Sequence, residues 1–420
     1  MTAPRGTQDI LPPQSSQWHA LEDRIHALAA RFGYSEIRTP MFESTELFVR
    51  GVGETTDIVE KEMYTFVDKG GRSITLRPEW TAPVVRAALE SNLFAAGPQR
   101  LYYIGPIFRY ERPQKGRYRQ SHQFGVECTG FQGPEADFEV IALAWELVRG
   151  YGIAGAALNI NSIGDDICRP RYREALLAHF RPHADELSED SQRRLERNPL
   201  RLLDSKDPQD KPFTDTAPTF ESVLCDACRA HFDALKAYLD AARIPYVVNP
   251  RIVRGLDYYT RTVFEIVSDA LGSQSTVCGG GRYDGLIGSL GGSETAAVGF
   301  ALGLERFLMI LERIGTAAPT ERRGIQAIAL GVQARALLVP LSVVWRRALD
   351  APVFMDFDDR KIGAHFKSAD RNNARYAVIV GSNELAAGEF VVRDLEARTE
   401  RRLPLQRAAD LATVLSEASG

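Results

Sequence analysis

The chain has 420 residues, 44% of them hydrophobic, and a length that suggests about two or three domains with a sizeable core. Its formal net charge of −4 excludes a generally basic nucleic-acid binder but allows local basic patches. We find no apolar run long enough to span a bilayer and no secretory signal at the N-terminus. These features predict a cytoplasmic protein without a membrane partner.

The N-terminal part of the chain predicts a helix followed by a sheet. Apolar residues recur at helical spacing from Trp18 to Phe32, and Gly33 marks the expected end of the helix. Extended segments then alternate with a helical pattern. The extended segments are 36–40, 73–76 and 101–104, and the helical pattern is 82–93. This order favours an antiparallel sheet with helices packed on it.

A change of composition marks a helical insertion at about 165–240. This stretch is charged and punctuated by proline, and 187–195 has the sequence of a capped helix start. Strand-like sequence resumes at 246–248, continues from 254 to 267, and ends in a glycine-rich segment. We therefore expect the insertion to interrupt the sheet domain.

The cysteines of the chain raise the question of a metal site. Five cysteines, a small and odd number, argue against a disulfide framework and for a reducing compartment. The spacing Cys225-x-x-Cys228-x-x-His231, with Cys168 as a distant fourth candidate, is compatible with zinc. Because the pair falls in a helical apolar pattern and no second C-x-x-C occurs, we favour thiols buried in a helix and predict no metal there.

A separate α/β unit is predicted after a linker at 320–324. Its expected strands are 325–330, 353–357, 376–380 and 389–392, with helices between the first three. We therefore divide the chain into a larger domain at 1–323, which includes the insertion, and a smaller one at 324–420.

A dense basic segment lies between Arg109 and Arg119. Its basic residues accompany one acid, Glu111, and alternate with tyrosine and glutamine, a pattern that suits polyphosphate or RNA as well as a solvated loop. If a strand ends here, Arg109 and Glu111 share a face, where they can clamp a phosphate and accept from an exocyclic amine. Arg306, at the start of a predicted helix, is a second cation. The chain has no Gly-Lys pair, which excludes a Walker A loop.

The segment 254–259 sets one arginine and two tyrosines around a glycine. Arg254 can offer a planar fork of donors to a carboxylate or phosphate. On a strand, Tyr258 and Tyr259 point to opposite faces, so we expect one to face a ligand and the other a core. Taken alone, the segment favours a buried core strand over the wall of a polar pocket.

Together these segments resemble a known family. Pro40 with 42–48, 108–127 and 299–306 resemble the three motifs of the class II aminoacyl-tRNA synthetases. Among these enzymes, 254–259 and 279–284 resemble sequences specific to the histidyl-tRNA synthetase family. The resemblance covers essentially the whole chain. It implies an α/β protein with an α+β catalytic domain, built on an antiparallel sheet flanked by helices, and a C-terminal α/β anticodon-binding domain.

The resemblance implies ATP as a substrate, assisted by Mg²⁺. The implied contacts are Arg109 with the α-phosphate, Glu111 with the adenine amine, Arg117 with the outer phosphates and Arg306 with the adenine face. Arg254 becomes the catalytic arginine that brackets the α-phosphate opposite Arg109. Ser121 stands where the family usually has an adenine-stacking phenylalanine, so Phe124 or another residue is expected to replace it.

The resemblance also implies L-histidine as the amino acid. The implied contacts are Glu79 and Thr81 with the α-ammonium, Gln123 with the carboxylate, and Glu127 and Tyr259, with Tyr258 or Tyr283, with the imidazole nitrogens. A pocket that bonds both nitrogens penalises apolar isosteres, because its buried polar groups would be left unpaired.

The implied RNA partner is histidine tRNA, bound by a homodimer. Its acceptor end would meet the loop that contains Gln114, Lys115 and Arg119, and its anticodon stem would meet basic residues such as Lys367 and Arg371. The same basic residues also fit a solvated helix face.

Two other functions fit parts of the sequence. A paralogue of the family serves as a regulatory subunit of ATP phosphoribosyltransferase without ligase activity, but it typically lacks the C-terminal domain and loses active-site residues. This chain retains 324–420 together with Arg109, Glu127, Arg254 and Arg306. The segment 254–259 disfavours the second alternative, a threonine or proline enzyme.

Overall fold

In a computed structural model the chain divides into two compact units, Met1–Ala317 and Ala318–Gly420. The structure describes residues 1–53, 56–112, 116–153, 155–205, 207–252, 258–271, 276–315 and 322–416. No helix within these ranges is long and apolar enough to cross a membrane. The domain boundary at 323/324 stays a prediction.

The first unit mixes strands and helices along its whole length. Its described strands are β1 (Ser35–Glu36), β2 (Phe42–Ser44), β3 (Tyr64–Val67), β4 (Ser73–Leu76), β5 (Gln99–Phe108), β6 (Gln120–Thr129), β7 (Ala156–Ser162), β8 (Tyr246–Val248), β9 (Thr260–Ser268), β10 (Thr276–Arg282) and β11 (Ala297–Gly303). Its described helices are α1 (Gln14–Arg31), α2 (Thr45–Val52), α3 (Thr81–Glu90), α4 (Pro134–Gly150), α5 (Cys168–Phe180), α6 (Glu189–Leu195), α7 (Lys211–Asp215), α8 (Asp226–Ala241), α9 (Leu286–Ser289) and α10 (Leu304–Arg313).

An eight-stranded sheet forms the centre of the first unit, in the order β1-β5-β6-β11-β10-β9-β7-β8. Neighbouring strands are antiparallel, except that β1 is parallel to β5 and β7 is parallel to β8. Leu21 of α1, Val140 of α4, Leu235 of α8 and Phe307 of α10 belong to one buried apolar core with the strands. The predicted antiparallel sheet flanked by helices is thereby confirmed.

The strand predicted at 36–40 is shorter than expected, because β1 ends at Glu36. The Nη1 group of Arg77 donates to the carbonyl oxygens of Thr39, at 2.8 Å, and Pro40, at 3.2 Å. Proline also has no N–H to give to a strand ladder. The guanidinium of Arg77, whose residue is only 2% exposed, therefore satisfies these carbonyls in place of a sheet neighbour.

Helices α5 to α8 fill the connection between β7 and β8. Because these two strands are parallel neighbours, the chain must cross over between them, and the helical segment makes this crossover. Ser188 caps α6 by accepting from the backbone N–H of Ser191 at 3.3 Å, as predicted. The hydroxyls of Ser188, Ser191 and Ser205 all donate to one oxygen of the buried Asp210, which ties the turns of the insertion together.

The C-x-x-C pair straddles the start of α8, so the prediction that both cysteines lie in a helix was wrong for Cys225 and confirmed for Cys228. Cys225 has an extended backbone and precedes the helix, whereas Cys228 is buried in the first turn. His231 belongs to a different group, since its Nε2 lies 3.3 Å from Oδ1 of Asp137. The histidine therefore does not join the cysteines.

The second unit contains a five-stranded sheet in the order β13-β12-β14-β15-β16. Its described strands are β12 (Ile325–Ala329), β13 (Val353–Met355), β14 (Tyr376–Val380), β15 (Glu389–Asp394) and β16 (Thr399–Pro404), and its described helices are α11 (Val332–Ala348), α12 (Ile362–Arg371), α13 (Ser382–Ala387) and α14 (Leu411–Ser416). β12, β13 and β14 are parallel, and β15 and β16 extend the sheet antiparallel. Strand β16 was not predicted, because it is polar and exposed.

Candidate active site

One pocket of the first unit brings together the described residues predicted to bind ATP and histidine. These residues are Glu79, Thr81, Arg109, Glu111, Arg117, Gln123, Glu127, Tyr258, Tyr259, Tyr283 and Arg306. Arg254, Gln114 and Lys115 lie outside the described residues. Arg119 is described but does not line the pocket. Its backbone N–H donates to Gly6 O at 2.7 Å, and its guanidinium lies 3.8 Å from the ring centre of Tyr110.

Strand β6 supplies the floor of this pocket. Alternation along the strand turns Ser121, Gln123 and Glu127 to the pocket. Phe124 lies on the other face, is fully buried, and makes an edge contact with Phe300 at 5.4 Å between ring centres. The suggestion that Phe124 replaces an aromatic residue at Ser121 was therefore wrong.

Glu127 is a buried carboxyl surrounded by hydroxyl donors. Its Oε1 accepts from Thr81 Oγ1 at 2.8 Å and from the Tyr103 hydroxyl at 3.2 Å, and its Oε2 accepts from the Tyr283 hydroxyl. The residue is 1% exposed. Burial raises the pKa of Glu127 to about 8, against the lowering effect of these three hydrogen bonds. The site thus holds a carboxyl that titrates near neutral pH.

Two glycines make room for this hydrogen-bonded group. A Cβ atom at Gly299 would lie 2.1 Å from Oε2 of Glu127, and one at Gly125 would lie 2.3 Å from the hydroxyl of Tyr103. Neither distance is possible between real atoms. The residues opposite Glu127 and Tyr103 therefore have to be glycine for the carboxyl and phenol to meet.

Glu79 connects the pocket to a helix terminus. Its carboxylate accepts from the backbone N–H groups of Thr81, at 2.7 Å, and Ala82, at 2.8 Å, at the start of α3. These bonds satisfy donors that no helical carbonyl can reach. Burial raises the pKa of Glu79 despite them. Its predicted contact with an α-ammonium stays a prediction.

The tyrosine pair at the edge of the pocket does not alternate as predicted. Strand β9 begins at Thr260, after the pair, so strand alternation does not apply to it. Tyr258 and Tyr259 both line the pocket, with 4.8 Å between their ring centres. Tyr258 also lies 5.5 Å from Tyr283, and burial holds its pKa well above the usual range. Both tyrosines thus line the same pocket.

Arginines gather around Glu111 at the other end of the pocket. Arg109 donates from Nε to Pro78 O at 2.7 Å, and its Nη1 lies 4.0 Å from Glu111 Oε1. Nε of Arg117 lies 3.5 Å from Glu111 Oε2. That oxygen is buried and has no hydrogen-bond partner among the described residues, so it can accept from a ligand.

Arg306 approaches the same end of the pocket from helix α10. It donates from Nε to Gly116 O at 3.1 Å and from Nη1 to Thr276 O at 3.0 Å. Burial, followed by repulsion from Arg117, lowers the pKa of Arg306. The carbonyl contacts thus hold a third guanidinium beside Arg109 and Arg117. Three cations and one carboxylate suit an anionic nucleotide.

The pocket also offers carboxylates to a magnesium ion. Both oxygens of Glu305 accept from the backbone N–H of His122, at 2.9 Å each, and Glu305 lines the pocket together with Glu111. Magnesium usually keeps one or two protein carboxylates and takes its other ligands from substrate phosphates and water. The described residues therefore fit a magnesium ion held chiefly by the phosphates of ATP.

Tyr103, Tyr118 and Glu305 line the pocket but were missed as site candidates. Tyr103 lies opposite Gly125 in the β5–β6 ladder, and alternation along the predicted strand 101–104 gave the signal for its inward direction. Tyr118 also lines the pocket and is half-buried, although it was noted only as part of the basic segment. Tyr118 offers a candidate surface for stacking adenine.

Comparisons with known proteins settle the family. A family model described as Histidyl-tRNA synthetase matches residues 6–307, and one described as Anticodon binding domain matches residues 346–414. The chain belongs to the histidyl-tRNA synthetase family. A histidine–tRNA ligase of Desulfitobacterium hafniense is 49% identical over 407 residues, which are 96% of this chain and 95% of that protein. The predicted resemblance is thereby confirmed.

Solved structures agree with this assignment. The crystal structure of apo S. aureus histidyl-tRNA synthetase matches with a TM-score of 0.82 at 38% identity, over 98% of this chain and 99% of its own. A Bacillus halodurans structure, described as an ATP phosphoribosyltransferase regulatory subunit/histidyl-tRNA synthetase, has a TM-score of 0.63 at 24% identity over 87% of this chain and 96% of its own. At that identity the second match shows the shared fold alone.

Proposed function

We propose that this chain is a histidine–tRNA ligase. It activates L-histidine with ATP to histidyl-adenylate, releases pyrophosphate, and transfers histidine to the 3′-terminal adenosine of histidine tRNA. The observation that carries the proposal is one pocket in which a buried carboxyl with hydroxyl partners, Glu127, adjoins a cluster of three arginines. The 49% identity with a histidine–tRNA ligase over 96% of the chain supports the same reaction.

The arginine cluster would bind ATP and stabilise the charge of adenylate formation. When the histidine carboxylate attacks the α-phosphorus, negative charge builds on the non-bridging oxygens. Guanidiniums that are already fixed, such as Arg109 on Pro78 O, stabilise this charge without reorganisation. Arg254 would face Arg109 across the phosphate, and Arg117 would meet the outer phosphates. Magnesium, held by the ATP phosphates, would supply further positive charge there.

The opposite end of the pocket would bind histidine. Glu127 would accept from one imidazole nitrogen, and Tyr258 or Tyr259 would bond the other. Gln123 would hold the carboxylate on the side of the arginines, while Glu79, with Thr81, would meet the α-ammonium. This order places the carboxylate of histidine between its side-chain pocket and the α-phosphate, as in-line attack requires.

The proposed tRNA contacts lie in both units. Lys367 and Arg371 are exposed on α12, where their charges can meet an anticodon stem. Arg375 is less suited, since its Nε lies 3.5 Å from Asp394 Oδ2. Gln114 and Lys115, which we assign to the acceptor end, lie outside the described residues. A cytoplasmic location stays a prediction.

A homodimer would cover an apolar face of the small sheet, which has the order β2-β4-β3. Phe42 and Phe66 lie on the same face of this sheet and are 55% and 46% exposed. The opposite face carries Thr75, which is fully buried and bonds Thr65 at 2.8 Å. Because the polar face of the small sheet is already buried, its exposed apolar face is the one that indicates a protein partner. We expect Phe66→Asp to give monomers in sedimentation equilibrium, and an unchanged mass would refute this interface.

The reaction is tested by histidine-dependent ATP–pyrophosphate exchange. We expect exchange with histidine but not with threonine or proline, and its loss by roughly 100-fold or more in Arg254→Ala, the size of effect seen when one transition-state donor is removed. Glu90→Gln, an exposed position on α3, is the matched control. No exchange with any amino acid from a folded, ATP-binding protein would contradict the ligase and direct attention to the regulatory paralogue.

A further inference from the structure

Four potential metal ligands converge outside the active-site pocket. They are Asp165 and Cys168, at the start of α5, and Cys225 and Cys228, at the start of α8. One ligand atom from each of the four residues lies within 4.8 Å of the others. In each pair the two residues are three positions apart, a spacing that is common for ligand pairs in structural zinc sites. The two turns come together although more than fifty positions separate them in the sequence.

The local backbone holds the first pair in this arrangement. Gly164 has φ +62, and a Cβ atom there would lie only 2.3 Å from Cβ of Cys168. Asp165 Oδ1 accepts from the backbone N–H groups of Ile167, at 3.1 Å, and Cys168, at 3.2 Å, just before α5. The glycine thus allows the cysteine side chain to fold back beside the carboxylate.

The second pair is bonded directly to the first. The backbone N–H of Cys225 donates to Sγ of Cys168 at 3.1 Å, and Sγ of Cys225 lies 3.8 Å from Oδ2 of Asp165. Cys225 is partly exposed while Cys168 and Cys228 are buried, so the cluster is reachable from solvent on one side.

Helices α5 and α8 both begin at the cluster. Two helix N-termini favour negative charge at this point. Metal binding releases the thiol protons, and a divalent ion that prefers sulfur then holds three thiolates and a carboxylate together.

We propose that Asp165, Cys168, Cys225 and Cys228 form a structural zinc site with three sulfur ligands and one oxygen ligand. This proposal reverses the expectation, drawn from the sequence, that the cysteines are only buried thiols. Zinc accepts this mixture of ligands in a tetrahedral arrangement, and four protein ligands leave no open position for catalysis. The ion joins the start of α5 to the start of α8, which are the first and last helices of the insertion.

The site also supports the wall of the histidine pocket. Residues beside the cluster pair with the segment that follows the pocket tyrosines, since Ile163 N–H donates to Arg261 O at 2.7 Å and Arg261 N–H donates to Gly164 O at 2.7 Å. Arg169, one position after Cys168, donates to the carbonyl of Tyr259. Loss of zinc is therefore expected to weaken histidine binding as well as stability. This second expectation depends on the proposed function, whereas zinc binding does not.

The test is the metal content of the full chain. Protein purified without chelator, or reduced, loaded with Zn²⁺ and then desalted, should retain about one zinc ion per chain. Inductively coupled plasma mass spectrometry measures this zinc content. Loading with Co²⁺ should produce the absorption bands of cobalt–thiolate bonds. Cys225→Ser and Cys228→Ser should lose the bands, while Cys128→Ser, a buried cysteine of β6 outside the cluster, should keep them.

Three results would overturn the proposal. One is a folded, fully reduced wild-type chain that retains neither zinc nor cobalt after loading. Another is a disulfide between Cys168 and Cys225 in freshly purified protein, detected by peptide mass spectrometry, because the cluster would then be a redox pair. The third is an equal loss of cobalt bands in Cys128→Ser. Because the first measurement uses the unmodified chain, it decides the matter even if a variant does not fold.

Discussion

Glu127→Gln is the substitution that examines the pocket most closely. The wild-type carboxyl has a pKa of about 8 in the folded chain, because burial disfavours its charge, compared with an ordinary value of 4.5. At pH 7 it is therefore mostly protonated, and an amide of the same shape replaces it with little change. We expect the variant to fold as well as the wild type at pH 6, by urea denaturation.

The pH dependence of stability should differ between the two proteins. A carboxyl whose folded pKa is raised binds more protons in the folded chain, so it stabilises below about pH 4.5 and this stability is lost as pH rises to about 8. At about 1.4 kcal/mol per pKa unit, wild type should lose roughly 3 kcal/mol between about pH 5 and pH 8 relative to Glu127→Gln. Identical pH profiles in the two proteins would refute the reasoning.

Although Glu127→Gln should make the folded chain more stable than the wild type at pH 8, it should weaken the binding of histidine. The amide cannot offer a carboxylate to the imidazole, and removal of a charged acceptor costs about 1.5–3 kcal/mol, or roughly 10- to 150-fold in affinity. Calorimetric titration of histidine at pH 8 measures this loss, with ATP binding as the internal control. Unchanged histidine affinity in the variant would remove Glu127 from the imidazole subsite.

Three further substitutions examine other parts of the structure. Asp210→Asn should destabilise the insertion by about 1–3 kcal/mol at pH 7. Burial would raise the pKa of Asp210, but hydrogen bonds from serine hydroxyls and a backbone N–H outweigh it and lower the pKa, so urea titrations should show the difference shrinking below about pH 4. Tyr118→Ala should raise KM for ATP by roughly 5- to 150-fold in pyrophosphate exchange if the ring stacks on adenine, while Tyr118→Phe and KM for histidine should change little. Replacing Lys367 and Arg371 with alanine should weaken tRNA binding in filter assays without affecting adenylate formation, and unchanged tRNA affinity would reject the assignment of α12.

The parts of the fold that the sequence predicted are those governed by periodicity. Helix α1 follows its apolar spacing, and β4 and β14 end at the predicted residues because both are bounded by turn or polar sequence. Strand β3 was missed, because its exposed Phe66 and Val67 carry no alternation of apolar and polar residues. Strand β3 belongs to the small sheet through its pairing with β4, which local sequence pattern does not reveal.

The pocket was predictable as a set of residues but not as a set of contacts. The resemblance named Thr81, Glu127 and Tyr283 as separate histidine ligands, whereas the structure shows that the hydroxyls of Thr81 and Tyr283 both donate to the carboxyl of Glu127. The fit of Gly299 against Glu127 depends on strand register, which spacing along the chain does not reveal. Likewise, Cys168 contacts Cys225 because the crossover between β7 and β8 brings the two residues together, and their separation along the chain does not reveal this contact.

The measurement that tests the central claim most directly is the charging of tRNA. Purified chain, ATP and magnesium would be incubated with a histidine tRNA transcript and, separately, with a threonine tRNA transcript. We expect histidine to be esterified to the first transcript and not to the second, and Arg109→Ala to abolish most of the activity. Adenylate formation without any charging of the histidine transcript, by a folded chain, would contradict the proposed ligase.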